Sequence, residues 1–304
     1  MSAAGRTCPV RYRYGATAIA RAPLKPVETL YVIGGLYGNL PALDAIETMC
    51  AREQQPVTLC FNGDFNWFNV DDAGFRAINE RVLRHDAILG NVEAELQATE
   101  DDAGCGCAYP DEVDAATVER SNRIHARLKQ TAAQHPDLLA ALDALPMYAR
   151  YAVGSVRVGV VHGDAESLAG WRFDTSLTPD IGSDVWLQQV FNQAEVDVFA
   201  STHTCLPVMR DYGNQAVMNN GSAGMPNYSD THYGLLTRIS TQPAPVETLG
   251  GVKIREVYID ALPIHFDQAR WLKMFDENWP QGSAAWASYY ERICNGPPHA
   301  LPAR

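Results

Sequence analysis

Three short apolar runs, Thr29–Ile33, Val57–Asn62 and Ala87–Leu89, each stop at a glycine, and the stretches between them have helical spacing. Between the first two, Leu40, Leu43, Ile46 and Cys50 recur at helical intervals behind Asn39, a good helix cap, with Pro41 tolerated in the first turn. Between the second and third, Phe75, Ile78 and Val82 mark one face of a helix over Asp71–Leu83. Strands alternating with helices in this way imply an α/β chain with a largely parallel sheet. Ligands of such sheets bind outside the carboxyl ends of the strands. The residues just beyond those ends, Gly34-Gly35, Gly63-Asp64 and Gly90-Asn91, are therefore the first places to look for chemistry.

Residues 1–28 carry three prolines and read as an irregular N-terminal arm, followed by a single domain over 29–304. A helix is expected to begin at Val92–Ala98, and Glu100–Asp114 reads as a polar, small-residue insertion containing "GCGCAYP". Ala115–Leu145 is helical in pattern with a break at His135-Pro136. Met147–Val153 and Ser155–Val161 read as antiparallel strands, the second ending at His162-Gly163. Val196–Ala200 is a buried-type strand ending in Ser201-Thr202-His203-Thr204. Short strands are expected at Val208–Asp211, Ala216–Asn219, Gly234–Ile239 and Val252–Ile259, and helices at Phe266–Asn278 and Gly282–Ile293.

Hydrophobic residues make up 46% of the chain, enough for a sizeable core. The balance of 24 basic against 36 acidic residues, a formal charge of −12, excludes the basic footprint that binding to nucleic acid or an anionic membrane surface requires. No stretch approaches the ~18–20 apolar residues of a membrane span. Seven cysteines form an odd set without a disulfide framework, which points to reduced thiols. The arginines near the N-terminus flank no continuous apolar core, so the expected location is the cytoplasm.

Five strand ends gather the informative side chains: Gly35 and Tyr37, Asp64, Asn91, His162, and His203 with Cys205. Taken singly, each has a plain reading as a turn, a cap or a hydrogen-bonded loop histidine. Taken together, one carboxylate, one amide oxygen and two imidazoles from separate strand ends form a ligand set for a divalent transition metal.

The order of these residues resembles the calcineurin-like metallophosphoesterase superfamily, especially its small bacterial and archaeal phosphodiesterase branch. The family pattern of D-x-H, G-D, G-N-H-D/E, H and G-H-x-H is matched by "GLYGN" at 35–39, "NGDFNWF" at 62–68, "LGNVEAEL" at 89–96, "VVHGD" at 160–164 and "THTCLP" at 202–207. Its "NPGS" turn is similar to "NNGSAGMP" at 219–226, and the resemblance covers about residues 29–260. It implies a four-layer αββα sandwich with mixed sheets and a site at one end of them.

The departures fall on one side. The resemblance assigns the second metal to Asp64, Asn91, His162 and His203, all retained. The first metal's own ligands fall on Gly35, Tyr37 and Cys205. The family histidine of G-N-H-D/E is Val92, while its acidic partner survives as Glu93. We therefore expect about one divalent transition metal (Mn, Fe or Zn) per chain, a metal-activated water and a small-molecule phosphate ester as substrate. Tyr37 and Glu93 are candidates for substrate contact and proton handling, and Tyr37 alternatively plugs the empty half-site. Cys205 is either a thiolate ligand for a softer metal or a small buried residue. Cys105 and Cys107 reach the same mouth or belong to an ordinary surface loop. Two rival functions stay open: a non-catalytic metal- or phosphate-binding protein, and a hydrolase or lyase of non-phosphate substrates.

Overall fold

The computed structural model describes residues 4–98 and 103–301. The first three residues of the expected arm, residues 99–102 with the start of the insertion, and residues 302–304 lie outside the described residues. In chain order, α1 (Ala16–Arg21) and β1 (Leu24–Pro26) precede β2 (Thr29–Ile33), α2 (Leu40–Cys50), β3 (Val57–Phe61) and α3 (Asp72–Val82). Then come β4 (Asp86–Ala87), α4 (Asn91–Ala94), α5 (Ala115–Ala132), α6 (Pro136–Asp143), β5 (Tyr148–Val153) and β6 (Val156–Val161). The remainder is α7 (Val185–Ala194), β7 (Val198–Ser201), β8 (Pro207–Asp211), β9 (Ala216–Asn220), β10 (Tyr233–Ser240), β11 (Gly250–Ile254), β12 (Val257–His265), α8 (Gln268–Asn278) and α9 (Ala284–Asn295).

Two mixed six-stranded sheets form, in the orders β1-β5-β6-β7-β9-β8 and β11-β12-β10-β2-β3-β4. Period-2 alternation explains how they stack. In β2, Leu30 and Val32 point between the sheets to meet Val158 and Val160 of β6 and Val198 of β7. Tyr31 and Ile33 point outward onto Leu43 and Ile46 of α2 and Phe75 and Ile78 of α3. On the far side, Phe199 of β7 meets Leu187, Val190 and Phe191 of α7 and Ile19 of α1. Helices thus cover both outer faces, and the four-layer αββα architecture expected from the sequence is present. Among the described residues no helix is long and apolar enough to cross a membrane.

Three expectations need correction. The arm is not irregular: α1 packs on α7, and β1 extends the first sheet in parallel with β5, pairing Leu24 with Arg150. Val252–Ile259 is not one strand but the hairpin of β11 and β12, turning at Arg255 with φ +54°. The helix expected over Val92–Ala98 stops at Ala94. Helix α7 had no counterpart in the sequence pattern.

One buried ion pair braces the sheet that carries the first motif loop. Arg238 of β10 is fully buried and meets Glu53 Oε1 at 2.6 Å and Oε2 at 2.9 Å, with Asp260 at 3.4 Å. The Tyr31 hydroxyl of β2 donates to Glu53 as well, at 2.7 Å. Burial opposes ionisation of Glu53, but the hydrogen bonds from Arg238 and Tyr31 outweigh it and hold its carboxyl below the usual range. Removing one partner strands the other charge in the interior, so Glu53→Ala is expected to lower stability by about 3 kcal/mol in urea unfolding.

Candidate metal centre

The five motif loops leave the carboxyl ends of β2, β3, β4, β6 and β7 and converge at one end of the sandwich. The loop after β2 is pinned by the turn after β9. Ala223 N donates to Gly34 O at 2.8 Å, Gly224 N to Gly35 O at 2.9 Å and Ser222 Oγ to Gly35 O at 3.0 Å. The turn matched by "NNGSAGMP" therefore sets the position of the 34–39 loop.

After β3, Gly63 (φ +94°) and Asp64 (φ +53°) both adopt left-handed backbone, turning the Asp64 carboxylate inward. Asp64 Oδ1 accepts from Val92 N at 3.2 Å. In exchange, Glu93 accepts from Asp64 N at 2.8 Å, Asn66 N at 3.0 Å and Gly90 N at 3.3 Å. Burial, and next the Asp64 charge, push Glu93 up to about 7. Its carboxylate is not among the groups lining the cavity and instead ties the loops after β3 and β4 together.

Four atoms face one another at the centre. His162 Nδ1 donates to Asn62 O at 2.8 Å, which turns Nε2 inward, 3.0 Å from Asn91 Oδ1 and 3.4 Å from Asp64 Oδ1. His203 Nε2 donates to Cys107 O at 3.1 Å, which leaves Nδ1 facing His162 Nε2 at 3.2 Å. Asn91 Nδ2 donates to Cys105 O at 2.9 Å, so its Oδ1 points inward. Each outward N–H is thus spent on a backbone carbonyl, and each inward atom is a lone-pair donor. Tetrahedral ligands at the ~2.0–2.1 Å bond lengths of zinc to nitrogen or oxygen stand roughly 3.3–3.4 Å apart, close to these separations. Carbonyl anchoring of the outer imidazole nitrogen is also the usual arrangement for a metal-bound histidine. The donor set fits a divalent transition metal, and Asp64, His162 and His203 are the group of three such side chains that converges among the described residues.

The electrostatics bias the two imidazoles in opposite directions. Burial opposes the charge on His162, but the adjoining Asp64 carboxylate outweighs it and raises that imidazole. Burial, then the neighbouring His162, pushes His203 down to about 3, so it stays neutral and able to ligate.

The other half-site is filled differently. Gly35 has φ +64°, and a Cβ there would lie 2.9 Å from Tyr37 Cε2 and 3.0 Å from Cζ. The Tyr37 ring thus takes up the space a side chain at 35 would need. Its hydroxyl reaches the cavity, 2.9 Å from Cys205 Sγ. Cys205 faces Tyr37 and not the converging group, so the structure gives no support to it as a ligand alongside His203.

A cavity of about 330 Å³ opens over Asp64, Asn91 and His203. Trp67, Tyr109 and Trp171 line it, whereas Phe68 packs against Phe275 and Tyr289. Cys107 of the insertion lies in the wall, and its carbonyl also accepts from Trp171 Nε1 at 3.0 Å. Tyr289 and Arg292, one helical turn apart on α9, are among the lining residues that sequence reading did not single out. A larger cavity of about 710 Å³ beside α2 and β12 contains none of these groups.

No family model matches the sequence, and no curated protein does. Solved structures do. A hypothetical protein from Pyrococcus horikoshii superimposes with a TM-score of 0.61 at 14% identity, over 89% of this chain and 99% of that one. A metallophosphoesterase from Sphaerobacter thermophilus gives 0.56 at 14% identity, over 88% and 100%. At such identities the likeness establishes a shared fold, that of the metallophosphoesterases.

Proposed function

We propose that this chain hydrolyses small phosphate esters, monoester or diester, at a site holding one divalent transition metal (Mn, Fe or Zn) on Asp64, Asn91, His162 and His203. The observation that carries this is the convergence of Asn91 Oδ1, His203 Nδ1 and Asp64 Oδ1 on His162 Nε2 at 3.0–3.4 Å, with both imidazoles and the Asn91 amide fixed by hydrogen bonds to backbone carbonyls. A cation there supplies polarisation of a phosphoryl oxygen and a water of near-neutral pKa. Asp64 and Glu93 lock the loops after β3 and β4 together, which holds the ligands in place before any substrate arrives. The Tyr37 hydroxyl, raised far above its ordinary pKa by burial and then by Cys205, remains a proton donor at neutral pH. It is placed to hydrogen-bond a phosphoryl oxygen.

The test is hydrolysis of bis(p-nitrophenyl) phosphate and p-nitrophenyl phosphate with each metal added. Turnover is expected to depend on the metal, and Tyr37→Phe is expected to lower kcat about 10-fold while bound metal stays the same. Unchanged kcat would leave Tyr37 as a plug. Val92, where the family has histidine, favours a second reading as a non-catalytic binding protein, because no imidazole stands there to assist the leaving oxygen. Metal binding without hydrolysis of either ester is the result that selects it.

A further inference from the structure

The half-site without a metal is not without a cation. Arg292, on the last turn of α9, lines the cavity, and among its described lining residues it is the cationic side chain. Its Nη2 donates to Cys205 O at 2.7 Å and its Nε to Pro226 O at 3.3 Å. Cys205 occupies the position the resemblance gives to a ligand of the first metal, so the guanidinium is anchored on the backbone of that half-site. Both of its partners are neutral carbonyls. Among the described residues no carboxylate pairs with it, and its Nη1 has no protein acceptor.

A half-buried guanidinium with no carboxylate partner among the described residues, in a cavity walled by Trp67, Tyr109, Trp171 and Tyr289, is placed to receive an anion. Guanidinium suits phosphate because its planar fork offers two donors to two oxygens. Resting on the phosphoester function proposed above, we infer that Arg292 replaces the missing first metal as a fixed positive charge and grips the non-bridging oxygens of a phosphate group. The ligand would then carry one phosphate between the Asp64–His203 side and Arg292, with an uncharged, planar or apolar substituent against the aromatic wall. Substrates with several phosphates would find no second cation there.

The bland role for Arg292 is to tie the Cys205 and Pro226 loops to the C-terminal end of α9, where a cation complements the helix dipole. Calorimetric titration of inorganic phosphate into Mn²⁺-loaded protein separates the two. Arg292→Gln is expected to weaken phosphate about 10- to 100-fold with bound Mn²⁺ unchanged. Arg292→Lys should recover part of the loss, since it keeps the charge and loses the fork. Should Arg292→Gln not fold, the wild-type protein serves: phosphate should protect Arg292 from phenylglyoxal, located by peptide mass. Phosphate affinity in Arg292→Gln within threefold of wild type, or no protection in the wild type despite measured phosphate binding, overturns the role of Arg292 and leaves the phosphoester function standing. No phosphate binding by the metal-loaded wild type removes both.

Discussion

His203→Ala is expected to lower affinity for Mn²⁺ or Zn²⁺ by about 100-fold or more, and His162→Ala by as much. Outer hydrogen-bond partners of a metal ligand are commonly worth 10- to 100-fold in affinity, so about 100-fold is a floor for the ligand itself. Both imidazoles are buried, and each ligating nitrogen is aimed by a bond from the ring's other nitrogen to a backbone carbonyl. No neighbouring side chain is placed to take over. Cys205, the nearest reserve donor in sequence, is turned towards Tyr37. Titration calorimetry with elemental analysis of the dialysed protein measures both affinity and stoichiometry. Full occupancy in either variant means that the ligands have been misassigned.

The second large effect concerns the half-site formed by Gly35, Tyr37 and Cys205. Restoring the pattern with Gly35→Asp, Tyr37→His and Cys205→His should raise bound metal from about one to about two per chain, with Asp64 between metals ~3.5–4 Å apart. The backbone favours the attempt. Residues 35, 37 and 205 have φ of +64°, +54° and +60°, and aspartate and histidine are among the residues that best tolerate that region. The order of substitution matters. Gly35→Asp alone drives its Cβ into the Tyr37 ring and should cost about 1–3 kcal/mol. On the Tyr37→His background that contact is gone and the penalty should fall to about 1 kcal/mol, the cost of the left-handed backbone. Elemental analysis counts the metals, and a double-mutant cycle in urea measures the coupling. Because Ser222, Ala223 and Gly224 hold the loop, a folded triple variant with one metal would show that this half-site has lost its geometry and not only its ligands.

Much of the centre was legible because it is written into strand ends. Asp64 and Asn91 each follow a glycine that ends an apolar run, His162 follows its run directly, and His203 comes two residues after β7 ends at Ser201. What aims these side chains was not legible. The carbonyls of Asn62, Cys105 and Cys107 act through backbone geometry, which leaves no residue-type signature. Arg292 and Tyr289 were hidden for a different reason. They belong to an amphipathic helix whose spacing announces a face without saying what it covers, and only tertiary packing of α9 brings that face over the cavity. The hydrogen bonds of Glu93 were not legible either, since sequence position alone cannot distinguish a carboxylate facing a cavity from one accepting three backbone amides. In the fold, α1, β1 and α7 were missed because they are short or are stabilised by each other's contacts and not by a strong pattern of their own.

The central strand β2 has its two neighbours at very unequal distances along the chain. It pairs with β3 some thirty residues on, but also with β10, where Val32 meets Thr237. Long-range pairings of this kind close large loops late in folding and depend on nearly the whole polypeptide. The loop after β2 is held by the nearby loop after β3 and also by the distant turn at 222–224, which docks on Gly34 and Gly35. The ligands span Asp64 to His203, so no contiguous fragment short of that length contains them. Convergence of these four side chains is therefore a property of tertiary topology, and a bound ion would report that the chain between Asp64 and His203 has closed on itself.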